Sequence, residues 1–192
     1  MTTDPIRDKR KLKALGEYWL KLRNFRNYLL IVLGVCTALR ISDLLRLRWT
    51  DVYDFDAGEF RTHITITERK TGKERMIALN NKALHALRLC FENSKRGAFL
   101  FANNRRDAAP ICRSQAWRII KEAAEAVKVA GITGCHSLRK SLGYFAWKAG
   151  VPPALLMDLY GHSSWEVTKR YLGIAQDDRD QVYLTLELFG TV

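Results

Sequence analysis

The sequence predicts a mainly α-helical fold with one small antiparallel β-sheet (α+β), and three observations lead to that prediction. Over most of the 192 residues, apolar side chains recur at three- and four-residue spacing, which is the period of an amphipathic helix. Only residues 60–79 alternate apolar and polar side chains, as a half-buried strand does. No internal repeat or long linker divides the chain, so residues 1–192 are expected to form a single domain.

Two helices are predicted at the start of the chain, followed by a third, shorter one. Residues 1–26 carry eight Lys and Arg side chains and an apolar stripe, which indicates a basic amphipathic helix. Residues 28–39 form the longest apolar run. This run is too short to cross a bilayer and lacks the features of a signal peptide, so it is interpreted as a buried helix in a soluble protein. Ser42 is then expected to cap a short helix that ends at Leu47.

A β-hairpin is predicted in the middle of the chain. Apolar and polar residues alternate over residues 60–67, and a second strand is expected over residues 75–79. The sequence Lys-Thr-Gly-Lys at residues 70–73 is typical of the turn between them. Residues 52–55 are expected to add a third strand to this sheet.

Helical periodicity returns after the hairpin and continues to the end of the chain. The acidic tail, residues 174–192, is expected to form a small helix with an apolar stripe of Val182, Leu186 and Phe189. The expected helix starts are Asn80, Ser114, Ser137, Pro152 and Ser163, and the expected ends are Gly131, Gly150 and Gly161.

Charge and cysteine content restrict the classes of function. The chain has 32 Lys and Arg against 20 Asp and Glu, a net charge of +12, which favours a polyanionic partner such as nucleic acid. Its four cysteines lie far apart and form no C-x-x-C pair, so neither a zinc knuckle nor a dense disulfide framework is expected. This pattern is typical of the reducing cytoplasm.

Several polar residues lie where packing does not require them. Arg40 interrupts an apolar stretch, where a charge is costly without an anionic partner; the simplest explanation is a pair with an internal carboxylate such as Asp43. His136 and Arg139 are three residues apart, which places them on one side of a first helical turn. Three further candidates, each ordinary by itself, are Lys70 in the predicted turn, His162 at a helix start and Tyr171 near a helix end.

Together these side chains have the chemistry for phosphodiester transesterification. Two guanidinium groups can bind the non-bridging oxygens of a phosphate and stabilise the extra negative charge of the transition state. A tyrosine hydroxyl can attack phosphorus if a base or a cationic field activates it. A lysine ammonium can protonate the departing alkoxide. The phosphotyrosyl ester keeps the bond energy, so the strands could be rejoined without ATP.

The order of these residues along the chain resembles the catalytic domain of tyrosine recombinases, the phage integrase family. The resemblance extends over roughly residues 5–188 and implies the integrase-like fold of DNA breaking and rejoining enzymes. The matching motifs are ALRISDLL (residues 38–45), KTGK (70–73), HSLR (136–139), YGH (160–162) and Tyr171.

The resemblance implies a residue-by-residue assignment of roles. Arg40 and Arg139 would bind the scissile phosphate, and His162 would donate a hydrogen bond to a non-bridging oxygen. Tyr171 would attack to form a 3′-phosphotyrosyl linkage. The family requires no metal ion and no cofactor.

The remaining assignments include three departures from the family pattern. Lys70 would protonate the 5′ oxygen, and His136 would act as general acid and base. Asp43 would support the site, although glutamate is commoner there. Lys140 follows Arg139 where many relatives have histidine, and Tyr160 replaces the usual leucine; both make the local packing uncertain.

The resemblance also implies partners. Double-stranded DNA is the expected substrate, and self-association into a tetramer through the C-terminal tail is expected on that DNA, with accessory DNA-bending proteins compatible with it. The expected location is the cytoplasm, beside the nucleoid.

The helical DNA-binding domain that many members carry is missing from the expected domain plan. The chain is therefore either the catalytic half of a larger integrase or a short stand-alone member, and both predict weak DNA affinity. The expected DNA-contacting residues are Lys73, Arg75, Lys140, Lys169 and Arg170.

Three alternatives stay open on the sequence alone. A type IB topoisomerase would use a similar set of residues to relax DNA. A DNA-binding module without catalysis, such as a repressor, would bind without forming a covalent adduct. A metal nuclease would use Asp177, Asp178 and Asp180, although these carboxylates are also what a solvated helix start favours.

Overall fold

The computed structural model describes residues 3–94, 97–103 and 109–185. Within these ranges the chain is mostly helical with short antiparallel strands, as the sequence predicts. The helices are α1 (Lys9–Lys21), α2 (Phe25–Cys36), α3 (Ile41–Leu44), α4 (Trp49–Val52), α5 (Asn81–Asn93), α6 (Arg113–Ala126), α7 (Cys135–Lys148), α8 (Pro153–Tyr160), α9 (Trp165–Leu172) and α10 (Gln176–Thr185), and the strands are β1 (Tyr53–Asp54), β2 (Glu59–Phe60), β3 (His63–Thr67) and β4 (Glu74–Ala78).

Helix α2 lies at the centre of the main core. Every residue from Asn27 to Gly34 is buried, and the helix packs against α1, α5 and α7, which confirms the predicted buried helix. Gly34 allows the closest of these approaches, because a Cβ atom there would lie 2.7 Å from Leu138 Cδ1 of α7. The first turns of α7 are thereby packed against the C-terminal half of α2.

The strands form two small sheets rather than the single sheet that was predicted. Strands β1 and β2 pair antiparallel, with Tyr53 opposite Phe60, and β3 pairs with β4, with His63 opposite Ala78. Residues 61–62 lie outside both ladders. The Arg61 amide donates to the Val52 carbonyl oxygen at 2.9 Å, and the Leu79 amide donates to the Thr62 carbonyl oxygen at 2.8 Å. The pairing partner therefore changes between these two residues, and the alternating run is divided between two sheets.

Several predicted helix caps are displaced by one to three residues. Helix α7 begins before Ser137, whose hydroxyl oxygen accepts a hydrogen bond from the Gly134 amide at 3.0 Å, so this serine caps from inside the first turn. At α9 the capping side chain is Ser164, which accepts from the Val167 amide at 3.3 Å, and not Ser163. Helix α3 spans Ile41–Leu44, so it begins before Ser42 and ends before Leu47. Helix α6 spans Arg113–Ala126, so it begins before Ser114 and ends before Gly131.

A second, smaller apolar cluster supports helices α8 and α9. Its buried members are Ala38, Leu156, Tyr160 and Leu172, from the α2–α3 loop and helices α8 and α9. Gly161 ends α8 in the left-handed conformation with φ 65°, as predicted, and turns the chain toward α9. Helix α9 is thereby packed against α7 and α8.

The tail begins as predicted with a short helix, α10. Two residues of the predicted tail stripe, Leu186 and Phe189, lie outside the described residues. In the described part of the chain, each helix is too short or too polar to span a lipid bilayer.

Candidate active site

The predicted catalytic residues come from separate segments that converge beside α7. His136 and Arg139 lie in the first turns of α7, and Tyr171 lies near the end of α9. The other three lie in loops: Arg40 directly before α3, Lys70 in the turn between β3 and β4, and His162 between α8 and α9.

Tyr171 contacts an imidazole and lies among cations. Its hydroxyl oxygen is 3.3 Å from His136 Nδ1, and its ring centroid is 5.1 Å from that of His162. Burial raises the pKa of the Tyr171 hydroxyl, while the positive charges of Arg139 and Arg40 lower it. A base is therefore needed to remove its proton near neutral pH, and His136 is within hydrogen-bonding distance.

Both histidines of the site are shifted toward the neutral form. Burial lowers the pKa of His136, and the charge of Arg139 lowers it further. Burial also lowers the pKa of His162, and nearby cations that include Lys70 act in the same direction. His162 Nδ1 lies 3.1 Å from Thr168 Oγ1, a hydrogen bond that orients the ring. The neutral His136 can accept a proton, and Lys70 of the hairpin turn is among the cations that lower the pKa of His162.

Arg139 is buried and fixed by main-chain oxygens. Only 3% of its surface is exposed. Its Nη1 donates to the Ala38 carbonyl oxygen and its Nη2 donates to the Tyr160 carbonyl oxygen at 3.4 Å. Burial lowers the pKa of Arg139, and the neighbouring charge of Arg40 lowers it further. Two guanidinium groups that repel each other in a partly dry pocket favour an anion between them.

A buried carboxylate, Glu68, lies beside Arg40. Its side chain is 5% exposed, and its oxygens lie 2.8 Å from Arg40 Nη1 and 2.9 Å from Arg75 Nη1. The Thr71 hydroxyl also donates to it at 2.8 Å. Burial alone would raise the pKa of Glu68, but the hydrogen bonds from Arg75 and Thr71 and the positive charge of Arg40 lower it to about 2. Glu68 is therefore ionised and connects the hairpin to the loop that carries Arg40.

Arg40 keeps donor capacity despite this ion pair. Its Nη1 is close to Glu68 but makes no aligned hydrogen bond within the described part of the chain. The internal carboxylate that pairs with Arg40 is therefore Glu68 and not Asp43. Asp43 is buried and accepts a hydrogen bond from the Arg69 amide at 3.2 Å, next to Lys70. Asp43 thus supports the hairpin turn.

Comparison with known proteins identifies the family that shares this arrangement. The model of the phage integrase family matches residues 9–177. The chain belongs to this family. Several relatives that share its sequence are named tyrosine recombinases.

Among these relatives is the probable integrase/recombinase YoeC of Bacillus subtilis, 36% identical over 97% of this chain and 96% of its own length. The tyrosine recombinase XerD of Mycobacterium tuberculosis is 27% identical over 76% of this chain, but the match covers only 47% of XerD. The chain thus matches about half of XerD and nearly all of YoeC. Among solved structures, the XerA recombinase superposes with a TM-score of 0.75 at 19% identity, covering 98% of this chain and 66% of XerA, and shares the fold.

Tyr160, a departure from the integrase pattern, has a packing role in this chain. Its hydroxyl donates to the Arg139 carbonyl oxygen at 2.8 Å. The Arg139 guanidinium lies 4.9 Å from the centroid of the Tyr160 ring, and the His162 ring stacks at 5.5 Å. Tyr160 therefore connects Arg139 with His162.

The expected DNA-contacting residues divide into exposed and internal side chains. Lys73 and Arg170 are exposed, and Lys169 is half-buried. Arg75 is held by Glu68. Lys140 is only 4% exposed and donates to the Thr3 carbonyl oxygen at 2.6 Å, so its burial is at odds with a direct DNA contact. The sequence could not predict this burial, because the spacing of Lys140 from Arg139 does not report how exposed its side chain is.

Sequence reasoning missed three residues near the site. Glu68 continues the inward register of Ile64 and Ile66, and an acidic residue in that register was an available signal. Arg113, exposed at the start of α6, lowers the pKa of His136 along with burial and closer cations. Ala38 adopts a left-handed φ of 50° and presents its carbonyl oxygen to Arg139, which no sequence signal predicts.

The acidic residues of the tail have structural partners within the fold. Asp178 is buried and accepts hydrogen bonds from the Tyr144 hydroxyl at 2.9 Å and the Ala175 amide at 3.1 Å. Asp177 pairs with Arg7, and Asp180 accepts from the Gln176 amide. Among the described residues, no three His, Cys, Asp or Glu side chains form a group that could hold a metal ion.

Proposed function

We propose that residues 1–192 form the catalytic domain of a site-specific DNA recombinase that cleaves and rejoins strands through a 3′-phosphotyrosyl intermediate. The observation that carries this proposal is the contact between the Tyr171 hydroxyl and His136 Nδ1 at 3.3 Å, in a pocket that also contains Arg139 and Arg40. Packing alone does not explain why a base and two guanidinium groups surround the buried phenol of Tyr171.

The two arginines and His162 would bind the scissile phosphate. Arg139 is fixed by main-chain oxygens, and Arg40 keeps donors that lack aligned acceptors in the described ranges. Preorganised cations stabilise the transition state more than the ground state, because negative charge accumulates on the non-bridging oxygens as the nucleophile adds. The phosphate therefore gains its largest stabilisation during the reaction.

The proton transfers follow from the positions of His136 and Lys70. Neutral His136 accepts the Tyr171 proton while the phenolic oxygen bonds to phosphorus. The bond from phosphorus to the 5′ oxygen breaks, and Lys70 donates a proton to that oxygen. Rejoining is the reverse: a 5′ hydroxyl attacks the phosphotyrosine, the Lys70 amine takes its proton and His136 returns one to Tyr171.

Double-stranded DNA is the proposed substrate, bound across the face that carries Lys73, Lys169 and Arg170. The net charge of +12 supports this choice, as does the structure of the XerH recombinase, a protein of similar fold, bound to its difH substrate. Arg113, which is exposed at the start of α6, adds a further cation near His136. Cytoplasmic location beside the nucleoid is part of the proposal, since the substrate is there.

Self-association through the tail is the proposed mode of assembly, with a tetramer on DNA and accessory DNA-bending proteins compatible with it. Helix α10 exposes three consecutive apolar side chains, Val182, Tyr183 and Leu184, at 52%, 82% and 75% of their surfaces. A second copy of this chain would bury such a surface. Sedimentation with and without bound DNA tests this assembly, and a species that stays monomeric on DNA contradicts it.

A covalent-capture experiment tests the proposed activity. The purified chain is incubated with a pool of nicked duplexes whose central sequence is randomised, so that the short strand released by cleavage diffuses away. We expect a protein–DNA adduct that survives denaturation and forms in excess chelator, and the captured duplexes define the substrate for all later assays. Binding without an adduct would indicate a non-catalytic module, and cleavage that requires a divalent ion would indicate a nuclease.

Two further assays separate a recombinase from a type IB topoisomerase. The selected duplex is placed twice in a supercoiled plasmid. We expect strand exchange between the two copies. Relaxation of plasmids that lack the selected sequence, without exchange, would contradict the proposed function.

A further inference from the structure

The residues before α1 form an N-terminal strap, defined here as Thr3–Arg7, which lies across the helices of the site. The Ile6 amide donates to the buried Ser141 hydroxyl of α7 at 2.8 Å. Asp4 exchanges two hydrogen bonds with Ile132 in the loop before α7, at 2.8 and 3.0 Å. Each end of this contact lies close to the turn that carries His136.

The last residue of the strap, Arg7, contacts the segment that follows Tyr171. Its guanidinium donates to the Gly173 carbonyl oxygen directly after α9 and pairs with Asp177 of α10 at 2.8 Å. It also lies 5.0 Å from the centroid of the Tyr144 ring of α7. Arg7 therefore connects α7, α9 and α10 through one side chain.

Pro5 supports the same junction by packing. A Cβ atom on Gly173 would lie 3.1 Å from Pro5 Cδ, so the strap and the end of α9 are in direct contact. Gly173 has a φ of 68°, which turns the chain out of α9.

The helix that carries Tyr171 is short and has a small fully buried face. Helix α9 has eight residues, and only Thr168 and Leu172 are buried. Two buried side chains constrain its tilt weakly compared with a long core helix, because most helical stability in proteins comes from packing of an apolar face. The contacts at its C-terminal end therefore have a large influence on where the Tyr171 hydroxyl lies.

Lys140 forms a second connection between the strap and the nucleophile. Its ammonium donates to the Thr3 carbonyl oxygen at 2.6 Å and lies 5.1 Å from the centroid of the Tyr171 ring. The buried cation is thus held at the ring by the strap, which accounts for its low exposure.

We propose that the N-terminal strap positions Tyr171 for attack, and that Arg7 is a positioning residue that acts through Gly173 and α10. The inference rests on the proposed function, in which Tyr171 is the nucleophile. Loss of Arg7 would let the end of α9 move while leaving the phosphate-binding arginines in place. A displacement of about 1 Å at a reacting atom lowers a rate by roughly 100-fold, so a partial displacement predicts a tenfold or larger loss.

The test compares Arg7→Ala with Arg179→Ala and with the unmodified chain. Arg179 is the matched control, since it is an exposed arginine of α10 whose guanidinium bonds only Gln176 of its own helix among the described residues. The rate of adduct formation is measured at saturating selected duplex, and DNA affinity and the urea midpoint of unfolding are measured separately. All assays are run at urea and temperature conditions where each variant is fully folded.

We expect Arg7→Ala to lower the rate of adduct formation at least tenfold while DNA affinity changes less than about twofold. Arg7→Lys, which keeps one charged donor, should recover part of the rate, and Arg179→Ala should match the unmodified chain. Equal rates for Arg7→Ala and Arg179→Ala would overturn the inference. A parallel loss of rate and affinity would also overturn it, because the strap would then brace the whole domain. If the unmodified chain forms no adduct, the proposed function itself fails, and the two failures are thereby distinguished.

Discussion

The pair formed by Arg40 and Glu68 explains how a charge can interrupt an apolar stretch. Glu68 neutralises much of the cost of burying Arg40 and Arg75, and it does so from one side only. Among the described residues no second carboxylate pairs with Arg40, so its charge stays available to an anion, as a phosphate site requires. Glu68 therefore stabilises the buried arginines and still leaves Arg40 able to bind an anion.

Replacement of Glu68 by Gln should destabilise the fold in a pH-dependent way. Because the pKa of Glu68 is about 2 in the folded chain against an ordinary value of 4.5, its stabilisation is complete above pH 4.5 and is lost as pH falls toward 2. We expect Glu68→Gln to lower the free energy of unfolding at pH 7 by about 3 kcal/mol. Urea denaturation at pH 7 and near pH 3 measures the difference in the free energy of unfolding between the unmodified chain and Glu68→Gln. Glu74→Gln, at an exposed position, is the control. If this difference in the free energy of unfolding is the same at both pH values, ionised Glu68 does not stabilise the fold as proposed.

Replacement of Arg40 or Arg139 by Lys should reduce the rate far more than the affinity. Lysine keeps the charge but loses the planar fork that binds two phosphate oxygens. We expect adduct formation with the selected duplex to slow by roughly 100-fold, comparable to loss of a transition-state donor, with affinity changed only about threefold. The control is Arg46→Lys, an exposed arginine near Arg40. Near-normal rates in either site variant would remove the bidentate contact from the mechanism.

In the proposed mechanism, the hairpin of β3 and β4 carries the proton donor. Asp43 fixes its turn through the Arg69 amide, and Glu68 fixes its base, while Lys70 at the tip stays exposed. A lysine on such a turn can reach the leaving oxygen without being buried. This arrangement explains why the ordinary sequence signal of a turn lysine conceals a catalytic role in the proposed mechanism.

Replacement of Lys70 by Ala should slow cleavage by roughly 100-fold or more, because general acid catalysis of the departing 5′ oxygen is lost. A duplex with sulfur in place of that oxygen should restore the rate, since a thiolate departs without protonation. Lys82→Ala, which changes an exposed lysine at the start of α5, is the control. A defect of Lys70→Ala that persists with the sulfur duplex would assign Lys70 to binding instead.

The secondary structure was predictable where periodicity was long, and less so at its ends. The buried helix α2 and the hairpin were both evident from spacing. Helix starts moved by up to three residues because capping depends on which hydroxyl meets a free amide, as Ser137 does from inside α7. The single predicted sheet became two because the pairing partner changes between residues 61 and 62, and alternation of side chains does not report hydrogen bonding.

The arrangement of the complete pocket depended on motif order, which the sequence does carry. The resemblance brought Arg40, Arg139, His136 and Tyr171 into one hypothesis, and the fold places these side chains together. Which side chains pair with each other was harder to predict from the sequence. The pairing of Arg40 with Glu68, the burial of Lys140 and the strap all depend on contacts between residues that lie far apart in the chain.

The positive charge of the whole chain predicts a steep salt dependence of DNA binding. The logarithm of the association constant should fall with the logarithm of salt concentration, with a slope of about −0.9 for each phosphate contacted. Lys169→Ala and Arg170→Ala should each make the slope shallower by about 1. Fluorescence anisotropy of the selected duplex measures this, and a flat response would contradict the basic face as a DNA-binding surface.

The most direct measurement is identification of the residue bonded to DNA. The unmodified chain and Tyr171→Phe are incubated with the selected nicked duplex, denatured, digested with protease and examined by mass spectrometry. We expect a nucleotide on the peptide that contains Tyr171, and no adduct from Tyr171→Phe although its DNA affinity is retained. An adduct on any other residue, or an unchanged adduct from Tyr171→Phe, would contradict the assignment of Tyr171 as the nucleophile.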